Sequence, residues 1–280
     1  MISGDFLSAG TLMEKSYFDV EPVSRRVKVY DLPDDVSGFI KELTDAAYKK
    51  DCDKLIFYVK PGSKEEADLQ AHSCKIEGEI KGFFRGDDTR VYAKYLNPAR
   101  EKKKDGNVID YVKQLNHSST TKAKILMDGY TMKWGREENA EEMAELYQTA
   151  FAKYPTPIHN PEYIVDMMKD HVHFALIFKG DKLVSACSAD VFPEYKAAEF
   201  TDCATLPEHR GKGLLSHQYP FLEDKAKELG IHTMFSYTRA TSMGMNIVAA
   251  QQGFTYGGCM IQNSWIGTGL EDMNIWYKIL

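Results

Sequence analysis

Long apolar runs are missing from this 280-residue chain. None approaches the roughly 20 consecutive apolar residues that a bilayer span requires, so no membrane association is expected. The opening residues, MISGDFLSAGTLMEKS, include an early Asp and lack both a basic lead and an apolar core, which makes a poor secretory signal. Cysteine spacing of the metal-binding kind is missing too. Cys52, Cys74, Cys187, Cys203 and Cys259 are scattered and odd in number. That pattern fits reduced thiols in a cytoplasmic protein, with no structural zinc. His171 and His173 share one strand face but have no carboxylate or third ligand beside them, so no metal is expected. Nor is there a basic half. Residues 1–122 carry 21 basic and 21 acidic side chains, and residues 123–280 carry 14 and 20, so nucleic acid is not an expected partner. The acidic second half suits a small cationic substrate, although ordinary solubility charge would look the same.

The polar stretch Lys113–Lys122, KQLNHSSTTK, has no periodicity and reads as a linker, dividing the chain into domains 1–122 and 123–280. In the first, SRRVKVYDL reads as a strand. Asp34 or Asp35 then caps a helix to about Tyr48 with Val36, Phe39, Ile40, Leu43 and Ala47 on one face. Strand LIFYV, a helix from Ser63, and strands EGEIKGFF and RVYAKYL follow. In the second, strand KILMDGYTMKW precedes a helix over Glu138–Ala152, a proline-containing bend and a short helix ending near Lys169. Strands HVHFALIF and KLVSACSADVF flank a Gly180-Asp181 turn, and AAEFTDCATL follows. Helix Gly213–Leu229, strand HTMFSYT, helix Ser242–Gln252 and two final strands near 254–262 and 272–279 complete a β-α-α-β-β-β-α-β-α-β-β order, an α/β class. The series IFYVK, helix, CKIEGEI, DDTRVYAKYL returns as FSYTR, helix, FTYGGCM, EDMNIWYKIL, an internal repeat in which only the second copy has a glycine loop.

That loop is LPEHRGKGLL. Arg210, Gly211, Lys212 and Gly213 lie between a strand and a helix start, where glycines let backbone amides turn inward and the helix end favours an anion. It has neither P-loop nor dinucleotide-fold spacing. With the element order and the later Gly253-Phe254, it resembles the GNAT acyltransferase superfamily, whose loop pattern is Arg-x-x-Gly-x-[Gly/Ala]. Arg210 through Leu214 match, and Leu215 stands where a small residue is usual.

The resemblance implies a mixed, splayed central sheet, preceded here by a smaller degenerate α/β copy, and acetyl-CoA as the acyl donor. It places Thr205, Leu206, Arg210, Gly211, Lys212, Gly213, Leu214, Ser242 and Asn246 on that donor. Backbone amides near Thr205 and Leu206 would polarise the thioester carbonyl. Glu199 is the first choice for the base, with a structural ion pair as its plain alternative. Asp202, Tyr154 and Tyr256 are expected on the acceptor side. Strand alternation puts Asp202 opposite Glu199 unless the strand bulges, and puts Cys203 with Glu199, packed on the donor's arm. Many members use a Tyr four residues before Gly-Phe as the acid. Here that position is Ala249; Tyr237, Ser242 and Asn246 are expected near the thiol, with Tyr237 the first choice and an ordinary half-buried strand tyrosine as its plain alternative.

The phrases AEFTDCATLPEHRGKGL, YTRATSMGMN, QQGFTYGG, EDMNIWYKIL, KYPTPIHNPEYI and KIEGEIKGFFRGDDTRVYAKYLNPAR are similar to the beta-lysine N-acetyltransferases, over about residues 25–280. This implies acetylation of the side-chain amine of beta-lysine to a compatible solute, beside lysine 2,3-aminomutase as functional neighbour. Lysine, ornithine or a polyamine is the rival acceptor, and a CoA-binding regulatory protein is the rival class. A homodimer is compatible with the sequence.

Overall fold

The computed structural model describes residues 18–115 and 126–280. The first half contains β1 (Phe18–Glu21), β2 (Arg26–Val29), α1 (Val36–Lys49), β3 (Lys54–Val59), α2 (Lys64–Ala71), β4 (Lys75–Phe84), β5 (Asp87–Tyr95) and α3 (Ile109–Gln114). The second contains β6 (Tyr130–Trp134), α4 (Ala140–Ala150), α5 (Pro161–Lys169), β7 (Val172–Lys179), β8 (Lys182–Phe192) and β9 (Ala197–Thr205). It continues with α6 (Leu214–Glu228), β10 (Thr233–Arg239), α7 (Met243–Gln251), β11 (Thr255–Ile266) and β12 (Gly269–Ile279). The five apolar positions expected on α1 are its buried residues, and Asp35 caps the helix by accepting from the Gly38 amide.

Three expected boundaries move. The strand expected from Lys124 begins at Tyr130, because Asp128 and Gly129 form a turn with Gly129 at φ +77°. The helix expected from Glu138 starts at Ala140, after a single 3-10 turn, and ends at Ala150. The expected linker loses its start. Lys113 and Gln114 close α3, whose Ile109 and Val112 are buried against Ala175, Phe200 and Trp276, while residues 116–122 lie outside the described residues.

All twelve strands join one sheet in the order β1-β2-β3-β5-β4-β11-β12-β10-β9-β8-β7-β6. The repeat is visible in this order. β2 and β3 are parallel, as are β9 and β10, and the antiparallel series β3-β5-β4 is matched by β10-β12-β11. The copies meet where Gly78 of β4 faces Gly258 of β11. A Cβ on Gly258 would lie 2.3 Å from the Glu77 carbonyl oxygen, and one on Gly257 would lie 2.2 Å from that of Glu79, so only glycine allows this approach. An aromatic cluster seals the junction. Tyr30 stacks on Tyr58 at 4.7 Å, and Phe83, Phe192, Tyr195 and Phe235 pack around them. Curled in this way, the sheet sets β2 of the first half opposite β9 of the second.

Candidate active site

β9 and β10 are paired in parallel only where Ala197, Ala198 and Glu199 face Thr233, Met234 and Phe235. Beyond that point the strands separate, and Glu199 sits at the vertex. A cleft of about 820 Å³ opens from the vertex to the loop before α6. Its size is that of a small-molecule site.

At the loop end, Gly211 and Gly213 have φ of +74° and +72°, a left-handed backbone that β-carbon sterics make costly for other residues. A Cβ on either would meet no protein atom, so the constraint is conformational. Gly213 caps α6 without any side-chain acceptor; the Ser216 amide donates to the Gly213 carbonyl at 3.1 Å, and the Leu214 and Leu215 amides at this helix end suit an anion. Arg210 braces the loop by donating from Nε to the Thr205 carbonyl at 3.0 Å. Buried Gln218 ties α6 to the sheet through Ser185 Oγ and the Ala175 carbonyl.

Along β9, Ser188 pairs with Thr201 but Ala186 pairs with Ala204, so Asp202 and Cys203 together face the single residue Cys187. This is a β-bulge, and Asp202 takes φ +52°, a conformation its short polar side chain tolerates better than most. The bulge reverses the alternation beyond it, correcting two expectations. Asp202 shares the Glu199 face, accepting from Tyr154 Oη at 2.9 Å and Ser188 Oγ at 2.7 Å. Cys203 turns to the opposite face, among Cys187, Phe200 and Tyr219.

Leu206 also departs from expectation. Its amide donates to the Val184 carbonyl at 3.0 Å, so it is not free for an oxyanion. An antiparallel ladder alternates its hydrogen-bonding direction, so the adjacent Thr205 amide points to the open edge of the cleft.

Three carboxyl groups gather on this face. Asp190 of β8 lies directly across from Glu199, with Asp202 beyond the bulge. Burial is the main cause of a rise in all three. Glu199 is pushed up to about 7 because burial and the nearby Asp202 outweigh the Lys28 charge. Asp190 is pushed up to about 8 by burial and the Glu199 charge. Asp202 is raised by burial against the pull of Ser188 and Tyr154.

The other wall was not anticipated. It is built by Glu21, Arg26 and Lys28 of the first half. Burial opposes ionisation of Glu21, but Arg26 and Lys28 prevail and hold its carboxyl at about 2. Tyr237 lines the cleft as expected, and its hydroxyl lies 2.6 Å from that of Tyr58. Burial raises Tyr58 to about 12 and Tyr237 well above its ordinary value.

The cleft thus brings together Glu199, Asp202, Tyr154, Thr205, Arg210, Gly211, Gly213, Leu214, Tyr237 and Ser242 of the expected residues. Lys212 reaches instead toward Tyr130 Oη at 3.3 Å. Asn246 is fully buried away from it. Its Oδ1 accepts from Thr238, Asn274 and Trp276, and its Nδ2 donates to the Arg239 and Ser242 carbonyls. The face of α7 turned to the cleft is Gly244, Ile247, Val248 and Gln251, at helical spacing. Tyr256 packs its ring on Trp276 at 5.7 Å under the Lys113 ammonium, outside the cleft. Ala249, where a tyrosine was a candidate acid, is fully buried in the core.

Comparison with known proteins agrees with this arrangement. The description "Acetyltransferase (GNAT) family" matches residues 126–254. The chain is 32% identical over 265 residues to the N-acetyltransferase YodP of Bacillus subtilis, covering 94% of this chain and 95% of that one. It is 30% identical to the beta-lysine N(6)-acetyltransferase of Methanosarcina mazei, covering 88% and 97%. The enzyme of that name from Methanococcus maripaludis is 28% identical, covering 94% and 96%. With similarity running nearly the full length of these relatives and the matched region holding the parted strands and the glycine loop, the chain belongs to the GNAT family and is an acetyltransferase.

Proposed function

We propose that this enzyme transfers the acetyl group of acetyl-CoA to the side-chain amine of beta-lysine, giving N-epsilon-acetyl-beta-lysine as a compatible solute in the cytoplasm. The observation that carries the reading is the position of Glu199, a carboxyl raised to about 7 at the vertex of a cleft that begins at an anion-binding loop. The division at residue 122 and a partnership with a lysine 2,3-aminomutase belong to the same proposal.

The residues present fit acetyl-CoA as donor. The loop amides and α6 hold the pyrophosphate, the open edge of β9 pairs with the pantetheine arm, and the Thr205 amide faces the thioester oxygen. A lysine-type ammonium, of pKa about 10.4, is mostly protonated near neutrality. Glu199 takes one proton, the freed nitrogen attacks the thioester carbon, and the carbon–sulfur bond breaks as the tetrahedral intermediate collapses and its nitrogen releases a second proton to solvent. Tyr237 donates a hydrogen bond to the departing thiolate. Full proton transfer from so weak an acid to a thiolate of pKa about 8.5 is uphill, so solvent completes it.

Thiol release from acetyl-CoA across beta-lysine, lysine, ornithine and spermidine tests the reading, with kcat/KM expected to be highest for beta-lysine. A maximum at another amine with none at beta-lysine overturns the acceptor. Absence of release with every amine despite tight CoA binding overturns catalysis itself. A smaller effect is expected at the loop. Gly213→Ala forces a Cβ into the left-handed region at a cost of about 1–2 kcal/mol, which should raise KM for acetyl-CoA roughly tenfold with little change in kcat.

A further inference from the structure

The wall supplied by the first half has a charge balance that the proton-handling roles of Glu199 and Tyr237 in acetyl transfer leave unused. Glu21 is ionised and shared, with Oε2 accepting from Arg26 Nη2 at 2.5 Å and Oε1 2.6 Å from Lys28 Nζ. Of the groups of this half that line the cleft, one carboxylate stands against two cations, while Asp19, across from Lys28 in the β1–β2 ladder, is outside the lining. The two cations are not equally available. Arg26 is committed on every nitrogen, through Nε and Nη2 to Glu21 and through Nη1 to the Asn263 carbonyl at 3.0 Å and Ser264 Oγ at 2.9 Å. Lys28 has three N–H donors, and among the described residues only Glu21 accepts from it. Its side chain is 12% exposed, so the ammonium gains little from water. Across the cleft stand the three carboxyl groups of Asp190, Glu199 and Asp202.

The geometry points to Lys28 as the receptor for a carboxylate on the acceptor, held ready by Glu21 and Arg26, with Asp190 and Asp202 receiving the acceptor's second ammonium. The substrate class is therefore a diamino acid, in which one carboxylate and one non-reacting ammonium flank the amine to be acetylated. A polyamine or an amino-acid amide would fill the acidic side and leave the Lys28 ammonium with Glu21 as its one acceptor among the described residues, its remaining N–H donors turned to the cleft without the acceptor a substrate carboxylate supplies. This inference rests on the proposed reading of the cleft as an acceptor site. It gives the first half a role, since that half closes the wall facing Glu199 and supplies Lys28 to it.

The test compares kcat/KM for beta-lysine with that for its primary amide, and for lysine with lysinamide, in the wild type and in Lys28→Met and Lys28→Arg. The wild type should prefer the acid over the amide about 100-fold, the size of a charged hydrogen bond in a site with little water. Lys28→Met should lose most of its activity on the acid and reduce the preference to within about threefold, while Lys28→Arg should keep most of it. Lys28→Gln replaces the Met variant if the latter does not fold. A preference unchanged in Lys28→Met and Lys28→Gln overturns the inference, as does a wild type that accepts amide and acid equally. An acid preference seen with lysine but no turnover of beta-lysine would overturn the proposed acceptor and leave the role of Lys28 standing.

Discussion

Glu199→Gln should lower kcat by about 10²- to 10⁴-fold, the range of a lost general base. The pH profile separates this from simple damage. With its carboxyl at about 7, Glu199 must ionise to act, so wild-type kcat should climb through pH 7 and level off above about 8. The Gln variant should lose that inflection and rise only as the free amine itself becomes more abundant. The same substitution should stabilise the fold in alkali. Glu199 is raised in the folded state, so between the ordinary carboxyl value of 4.5 and about 7 the folded chain keeps a proton that the unfolded chain has released. Stability from this group is present below 4.5 and is lost as pH rises through about 7. Thermal unfolding at pH 8.5 should therefore show a higher midpoint for Glu199→Gln than for wild type. A variant that kept both its rate and its pH inflection would remove Glu199 from the mechanism and leave Asp190 or Asp202 as the base.

Arg100→Met should cost about 3–5 kcal/mol of unfolding free energy, measured by urea denaturation. Arg100 is 2% exposed, and it donates to the Ser24, Arg25 and Gln262 carbonyls and to the Asp53 carboxylate. Met fills much the same volume but leaves these acceptors buried without donors, which is why the loss exceeds that of a surface ion pair. A functional effect should accompany it. The turn held by Arg100 leads directly into Arg26 and Lys28, so KM for the acceptor should rise even where the variant is fully folded. Arg100→Lys retains the charge without the planar fork and should recover only part of the loss. Wild-type stability in Arg100→Met would show that β11 and the β1–β2 turn are held by other means.

The elements whose burial pattern is local are legible in the chain itself. The apolar stripe of α1, the Asp35 cap, the Gly180 turn and the left-handed glycines before α6 each depend on a few adjacent residues. So do Glu199 and the donor loop, where strand, loop and helix are contiguous. The misplaced residues depend on events that alternation does not encode. A bulge at Asp202 exchanges two side chains between faces, and its only trace in sequence is an Asp, a residue that tolerates a positive φ, inside an apolar strand. Asn246 lies one position away from the cleft-facing stripe of α7, a rotation fixed by its bonds to Thr238, Asn274 and Trp276. Arg26 and Lys28 alternate with buried valines in RVKV, which reads as a strand with one wet face. That face meets β9 only because the sheet curls about Gly78 and Gly258, two residues 180 positions apart. Asp190 carried a faint signal, as the one charge in the run SACSADVF.

The ladder between β9 and β10 ends at Glu199, and this makes the enzyme sensitive to counting. The last paired rung sets both where the donor strand becomes free and which side chain stands at the fork. A residue inserted between Ala197 and Glu199 would present Ala198 or the inserted residue at the fork and carry the carboxyl to the wrong face. Deleting Asp202 would flatten the bulge and remove a carboxylate from the Glu199 face, with Cys203 left on the opposite one. The turn between Phe192 and Ala197 is held separately, its Tyr195 carbonyl accepting from the Arg85 amide and its Lys196 carbonyl from the His232 amide, each at 2.8 Å. Length changes should thus be forbidden throughout the nine residues of β9, a frame-like rule written into one strand.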